Sequence, residues 1–423
     1  MSSRVLVVPA GTEIGHEVYE SLRYSKHWEL VGANAVRDHS EVTFPKMHFG
    51  LPFVDHNNFV HAVQSLVKEQ NIEFVVPAHD EAIFKLSGQL TGAVFVGPHL
   101  ELSELLRFKS KILMSLRDYI PVPAGVGDRP TFPIFAKPDR GQGSRGARIV
   151  RNEQELTLVR KAEEPMLLQE FLPGPELTID CFSSPNHEVI YCTARKRDRV
   201  SSGIATRMQM VEEPLFLEYA AIISRELKIS GAWFFQVKQD AYGVYKLLEV
   251  ANRIAGSSGF QRAIGINLMD AWLHQISGRE VSFIKPLIDT LIYDRALYAR
   301  MKLQRKVKNI YVDFDDTLIF NKGAAVHHRL IGLLYAFKIT KGVPLTLVTR
   351  HNGEIDAQLR RMGLIGLFDD VVHLKNGEKK SSYINPDGAV FIDDAFSERK
   401  EVGSLPGVIC LPPESIEMLE AIL

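Results

Sequence analysis

The chain has 423 residues, room for about three domains at roughly 150 residues each. Hydrophobic residues make up 45% and charged residues 24%, as in globular proteins that bury several cores, and the net charge of -1 excludes a global field drawing in nucleic acid or an anionic membrane. Cys181, Cys192 and Cys410 are too few and too scattered for a disulfide framework or a zinc site. The apolar stretch in the first ten residues is too short for a secretory signal, and no apolar run approaches the roughly 20 residues that span a bilayer. A reducing cytoplasmic location, with no nucleic-acid or membrane partner, is expected.

In chain order, Val5 to Val8 reads as a strand, followed by a loop with Gly11 and Gly15 and a helix through Leu22. Phe74 to Pro77 reads as a second strand ending in a polar tip, His79, Asp80 and Glu81, and Ala93 to Gly97 as a third. Strands alternating with helices predict a parallel α/β sheet. The loop Ala10 to Gly15 lacks the full dinucleotide glycine fingerprint, so it reads as a strand-to-helix turn near substrate. A proline-rich joint, Ile120 to Pro133, leads to a middle segment of α+β character. Pro286 to Lys308 reads as one basic helix or linker, solvated rather than nucleic-acid-binding. Strand–helix–strand patterning resumes at Asn309. The boundaries are therefore 1–105, 106–285, a helical linker 286–307, and 308–423.

The densest chemical signal is Phe135–Ala136–Lys137–Pro138–Asp139–Arg140–Gly141–Gln142–Gly143–Ser144–Arg145–Gly146. A strand delivers Lys137, a compact positive charge, to a loop whose glycines let backbone N–H groups approach phosphates. Alone, this is equally a glycine-rich hairpin. Leu167–Leu168–Gln169–Glu170–Phe171–Leu172 then enters a turn that exposes backbone groups suited to an adenine edge, and Glu176 is placed to accept from ribose hydroxyls. The run Arg195–Lys196–Arg197–Asp198–Arg199 reads equally as an anion site or a solvated face. Phe235 to Lys238 and Leu247 to Ala251 read as paired strands that put Gln236 and Glu249 on compatible faces, hard oxygen donors that suit Mg²⁺.

This ordered set resembles the ATP-grasp superfamily, nearest its carbamoyl-phosphate-synthase-like branch, over roughly residues 1 to 285. The resemblance implies a Rossmann-like pre-ATP-grasp domain followed by an ATP-grasp fold. It implies ATP with Mg²⁺, or Mn²⁺ in its place, and small-molecule carboxylate and amine substrates joined through an acyl phosphate. By that resemblance Lys109, Lys137, Gly141, Gly143 and Ser144 contact phosphates. Gln169, Glu170 and Leu172 frame adenine, Glu176 holds ribose, Gln236 and Glu249 hold metal, and Arg253 stabilises the acyl phosphate. Two positions depart from the pattern. Phe108 stands where an acidic residue usually precedes the first lysine, so Lys111 competes with Lys109. Ala251 stands where the metal motif has Asn, leaving Asn252 or water to complete the shell.

In the last segment, Ile310–Tyr311–Val312 ends in Asp313–Phe314–Asp315–Asp316, and Leu345 to Val348 ends at Thr349. Lys379 and Lys380 follow, and Val390–Phe391–Ile392 ends in Asp393–Asp394. Asp313 and Asp315, two apart, are expected to reach one Mg²⁺ at the strand tip. The four motifs in this order resemble the haloacid dehalogenase (HAD) phosphatase superfamily. The resemblance implies a C-terminal Rossmannoid domain with Asp313 as nucleophile, Asp315 as general acid/base, Thr349 and Lys379 or Lys380 on phosphate, and Asp393 with Asp394 in the metal shell. About thirty residues between motifs leave no room for a cap domain, so the site is expected to be open to a phosphorylated substrate. Two alternatives stay open: a regulatory C-terminal module, and a small-molecule kinase that forms no amide. Self-association into a homo-oligomer is compatible with the sequence.

Overall fold

The computed structural model describes residues 2–127, 129–141, 143, 145–201, 203–284, 292–296, 306–320, 323–375, 377–415 and 418–420. The chain divides into two compact units, Met1–Leu297 and Tyr298–Leu423. No helix among the described residues is long and apolar enough to cross a membrane.

The first unit opens with a parallel sheet of β1 (Ser3–Val8), β2 (Trp28–Asn34), β3 (Met47–Phe49), β4 (Phe74–Pro77) and β5 (Val94–Phe95), in the order β3-β2-β1-β4-β5. Val5 to Val8 are buried on both faces, as a parallel strand requires. Val5 and Val7 point into one core, which they share with Phe182, Phe260 and Trp272. Leu6 and Val8 point into the other, with Phe59 and Val63 from the helix Phe59–Glu69. Because the first core draws on both parts, the spans 1–105 and 106–285 pack as one unit.

Three antiparallel strands, β6 (Ile134–Pro138), β7 (Arg148–Val150) and β8 (Met166–Glu170), form a small sheet in the order β7-β6-β8. A larger antiparallel sheet follows, from β9 (Glu176–Ser183), β10 (Val189–Ser201), β11 (Ile204–Val211), β12 (Gly231–Gln239), β13 (Tyr245–Ala251) and β14 (Ile292–Asp294), in the order β13-β12-β9-β10-β11-β14. The helix Leu215–Leu227 covers one of its faces with Phe216, Tyr219, Ala220 and Ile223, at the spacing of a single helical stripe. The span 286–307, expected to be a basic helix or helical linker, contains the strand β14. Its residues pair with Arg207–Gln209 of β11, and Asp294 binds Arg199 and Arg207. Edge pairing with β11 satisfies backbone groups of this segment, and the ion pairs hold its end in place. Residues 285–291 and 297–305 of that span lie outside the described residues.

The second unit holds a parallel sheet of β15 (Asn309–Val312), β18 (Leu345–Thr349), β19 (Asp370–His373), β20 (Ala389–Ile392) and β21 (Ile409–Leu411), in the order β19-β18-β15-β20-β21. Among the described residues between β15 and β18 lie a two-stranded hairpin, β16 (Ile319–Phe320) and β17 (Ala325–Val326), and the helical stretch His328–Lys341. Ile310 and Val312 face one core and Tyr311 the other, again with the period of two.

Candidate functional site

In the first unit, β6, β8, β12, β13 and the glycine-rich loop enclose a cleft of about 900 Å³. Lys109, Lys137, Gly141, Gly143, Gln169, Glu170, Leu172, Glu176, Gln236 and Glu249 all line it, residues spread over 109–249 of the sequence. Ser144 lies outside the described residues. Gln236 and Glu249 are direct cross-strand partners, so the Gln236 amide and the Glu249 carboxylate stand on one face of the β12–β13 pair. The fit to a divalent cation rests on these two oxygen donors.

Lys137 is buried, and its Nζ makes one long contact, 3.3 Å to the Leu248 carbonyl. Burial pushes its pKa down to about 8; Glu249 opposes the fall and Lys109 adds to it. An ammonium so poorly served is poised for an anion. Lys109 begins the helix Lys109–Leu116, and its Nζ donates to the Gly141 carbonyl at 2.8 Å, tying the glycine loop to the cleft. Lys111 instead lies over the Phe108 ring, and it does not line the cleft. The β10–β11 turn approaches the loop from the other side. Gly203 there has φ +77, and a Cβ on it would meet the Gly143 backbone at 2.4 Å, so only glycine fits.

Two of the expected ligand contacts are internally paired. Glu170 accepts from the Ala124 N–H at 2.7 Å and from Lys246 at 2.6 Å. Glu176 accepts from Arg197 at 2.7 Å. The basic run on β10 is neither one anion site nor one solvated face, because its members meet different partners along the strand. Arg195 is fully buried on Asp180 at 2.5 Å, Arg197 lines the cleft, Lys196 pairs with Asp198, and Arg199 pairs with Asp294. Asn252 is buried, with its Nδ2 donating to the Ser230 and Ala232 carbonyls, so its nitrogen fixes the end of β13 to the start of β12.

A second cleft of about 610 Å³ adjoins the first. Lys109, Gly141 and Glu249 line both. Arg253 stands in the second cleft, held by Asp80 in a two-point contact at 2.5 and 3.0 Å. Its neighbour Glu81 binds Arg107 and Arg140, the latter from the glycine-rich segment. Sequence reading noted Asp80 and Glu81 only as a polar tip. Their position at the C-terminal end of a parallel strand was the available signal.

In the second unit, the C-terminal ends of β15, β18 and β20 deliver Asp313, Thr349 and Asp393 side by side, where the strand order reverses. Oxygens of Asp313, Asp393 and Asp394 lie within 4.8 Å of one another, a donor set that fits a hard divalent cation. Of the two lysines left open, Lys380 is buried and reaches Asp313 at 2.9 Å and Asp393 at 2.5 Å, whereas Lys379 is exposed. Burial raises the Asp313 pKa, against Lys380. Burial and the Asp313 charge push Asp393 up to about 6. Such crowding of carboxylates is relieved by a cation. The Thr349 hydroxyl is buried beside the Asp313 carboxylate, whose charged form it favours. Arg399, which the sequence did not single out, donates to the Asp393 and Asp394 carbonyls, both at 2.6 Å.

Asp315 corrects an expectation. Its carboxylate is not part of the three-carboxylate cluster and is bound instead to His351 Nδ1, at 2.8 and 3.1 Å. The strand ends at Val312 and Asp316 turns the chain at φ +50, so strand alternation no longer sets where residue 315 points.

Residues 162–294 match a family model described as ATP-grasp in the biosynthetic pathway with Ter operon. Among solved structures, the chain is similar to the biotin carboxylase domain of Hydrogenobacter thermophilus 2-oxoglutarate carboxylase, solved with MgADP, ADP and bicarbonate. The TM-score is 0.56 at 16% identity, covering 67% of this chain and 72% of that one. It is also similar to Staphylococcus aureus N5-carboxyaminoimidazole synthetase in complex with ADP, with TM-score 0.53, 12% identity, and 66% and 78% coverage. An L-amino acid ligase from Bacillus licheniformis matches with TM-score 0.52, 17% identity, and 64% and 73% coverage. At these identities the likeness is one of fold, and with the family match it shows that the chain contains an ATP-grasp domain.

Proposed function

We propose that the chain is an ATP-dependent carboxylate–amine ligase whose second unit is a Mg²⁺-dependent phosphatase of the HAD type. The observation that carries the ligase reading is the pair of clefts that meet at Lys109, Gly141 and Glu249. ATP in the cleft of Lys137 would present its terminal phosphoryl group at that junction, and a carboxylate in the cleft of Arg253 would meet it there. The carboxylate oxygen attacks phosphorus, ADP leaves, and an acyl phosphate forms. An amine then attacks the carbonyl carbon and phosphate departs. Lys109 and Lys137 balance the charge on the transferred group, and Arg253, held by Asp80, is oriented toward the acyl phosphate. Gln236 and Glu249 would hold Mg²⁺, which would supply positive charge against the phosphates. ATP and Mg²⁺ are also consistent with the nucleotide and magnesium bound in the structural neighbours.

For the second unit, the grouping of Asp313, Lys380, Asp393 and Asp394 supports an active phosphatase over a regulatory module. Asp313 attacks phosphorus to give an aspartyl phosphate while the leaving alkoxide takes a proton from Asp315; water then gives a proton to the Asp315 carboxylate as it attacks phosphorus, and the P–O bond to Asp313 breaks to release phosphate. Lys380 and Thr349 would face the phosphate oxygens. The test is ADP release from ATP and Mg²⁺ with a panel of carboxylates and amines, with the product identified by mass spectrometry. An amide supports the ligase; a phosphorylated product without amide would mark a kinase instead.

A further inference from the structure

In the second unit β15 and β18 run side by side, so the segments that leave their C-terminal ends are neighbours. One carries Asp315 and the other His351. The Asp315 side chain is 47% exposed and that of His351 only 11%. An aspartate so open to water samples several rotamers unless something holds it. Here both of its oxygens lie on one nitrogen, His351 Nδ1, at 2.8 and 3.1 Å. An ionised carboxylate only accepts, so Nδ1 carries the hydrogen. The imidazole is itself fixed. Its ring stands edge-on to Phe314, with centroids 5.3 Å apart and planes at 82°. Its Nε2 is buried with no hydrogen-bond partner among the described residues, so the ring acts on its surroundings through Nδ1. From β19, His373 Nε2 donates to the His351 carbonyl at 2.7 Å and holds the backbone that carries the ring.

Resting on the phosphatase reading, we infer that His351 is a positioning residue for Asp315, orienting the carboxyl group that gives its proton to the leaving oxygen. Asp315 stands outside the cluster of Asp313, Asp393 and Asp394, so a cation held by those three leaves it unheld. His351 supplies the missing constraint. When Asp315 is protonated, one oxygen accepts from Nδ1–H and the other bears the acidic proton, turned away from the ring. As the bond from phosphorus to the leaving oxygen breaks, that proton passes to the leaving oxygen and Asp315 becomes a carboxylate, still bound to Nδ1–H. His351 keeps its own proton throughout. It fixes which oxygen is the acid, and a fixed acid is a faster one.

The test uses the full chain with Mg²⁺ and two esters of similar size. Benzyl phosphate has a leaving alkoxide that needs a proton, and p-nitrophenyl phosphate has a leaving group that does not. The value of kcat/KM is measured for each, because it ends at departure of the leaving group and excludes the later hydrolysis of the aspartyl phosphate. Asparagine sets its amide nitrogen where Nδ1 stands, and glutamine sets it where Nε2 stands. His351→Gln is expected to lower kcat/KM about 10- to 100-fold for benzyl phosphate and less than about 3-fold for p-nitrophenyl phosphate, and His351→Leu, which has no donor, to match it. His351→Asn is expected to keep both esters within about 3-fold of the wild type. The ratio of the two esters within one variant does not depend on the fraction of protein folded, so a loss of stability cannot imitate this result. A ratio that stays unchanged or rises in His351→Gln and His351→Leu, or that falls as far in His351→Asn, overturns the inference. A wild type that hydrolyses p-nitrophenyl phosphate alone also overturns it, while the phosphatase stands. If the wild type hydrolyses neither ester, the phosphatase reading falls and takes the inference with it.

Discussion

Lys137→Met should make the protein more stable while it removes ATP turnover. Lys137 is 8% exposed, and its ammonium has one 3.3 Å contact, to a neutral carbonyl. Its pKa falls from 10.5 to about 8 through burial, against the pull of Glu249. At about 1.4 kcal/mol for each tenfold change, that fall is a cost of roughly 2–4 kcal/mol for keeping the folded group charged. At pH 7 the lysine is protonated in both the folded and unfolded chain, so the wild type bears this cost in full. As pH rises through about 8 the folded group releases its proton, while the unfolded chain keeps its own until about 10.5. The unfolded state then binds more protons, and wild-type stability rises over that window. Methionine has no proton to lose. The stability gap in favour of Lys137→Met should therefore be roughly 2–4 kcal/mol at pH 7 and should close toward pH 10.5. Denaturant unfolding followed by tryptophan fluorescence measures it, because Trp28, Trp233 and Trp272 all lie in the Met1–Leu297 unit. A variant less stable than wild type at pH 7, or a gap that does not change with pH, would refute the reasoning. Loss of ADP release in a more stable protein cannot be ascribed to unfolding.

Gly203→Ala adds a Cβ that meets the Gly143 backbone and strains a left-handed residue, so the KM for ATP should rise at least about 10-fold for a stability loss of about 1 kcal/mol; steady-state ADP release and thermal melting measure the two. Asp313→Asn should abolish hydrolysis of p-nitrophenyl phosphate and leave ATP-dependent ADP release unchanged, and a loss of both would join the two chemistries in one site. Asp315→Asn should slow hydrolysis of alkyl phosphates by about 10² to 10⁴-fold and of aryl phosphates by less, since aryl leaving groups need little protonation. Arg195→Ala strands Asp180 in the core and should destabilise the first unit by about 3–5 kcal/mol in the same fluorescence assay, with Arg195→Met/Asp180→Leu recovering much of the loss.

The parts of this molecule legible in the sequence are those where a local pattern fixes both element and direction. Phe74 to Pro77 and Asn309 to Val312 read as strands and are strands, because short apolar runs between polar breaks have few other ways to bury their backbone. Gln236 and Glu249 were readable only as two donors on paired strands, because the register nearest the turn, Gln239 with Tyr245, shifts by one residue between Val237 and Gln236. The glycine-rich loop was readable because its chemistry is contiguous. By contrast, β2 and β14 were missed. Trp28–Asn34 includes Glu29 and Gly32 without strict alternation, and β14 is a three-residue edge strand whose support is ionic, from Arg199 and Arg207.

The site residues divide along the same line. Asp313, Thr349 and Asp393 each follow a strand of one parallel sheet, so sheet order alone gathers them, and reading each strand's end was enough. The expectation that Asp315 shares one metal site with Asp313 carried the two-residue period past the last residue of the strand. Arg195 was left open because a run of charges gives no sign of which members are paired. Its partner Asp180 lies on the neighbouring strand, opposite Thr193 rather than Arg195. Arg253 was legible as a cation but not as an oriented one, since Asp80 lies 173 residues away. Orientation matters most for that residue. An unheld guanidinium samples many rotamers, and the two-point contact with Asp80 removes that freedom before substrate arrives. The same helix that carries Asp80 carries Glu81, which binds Arg140 beside the glycine loop. One short helix at the end of β4 thus fixes a cation in the second cleft and anchors the segment that flanks the first, a coupling that motif spacing cannot express.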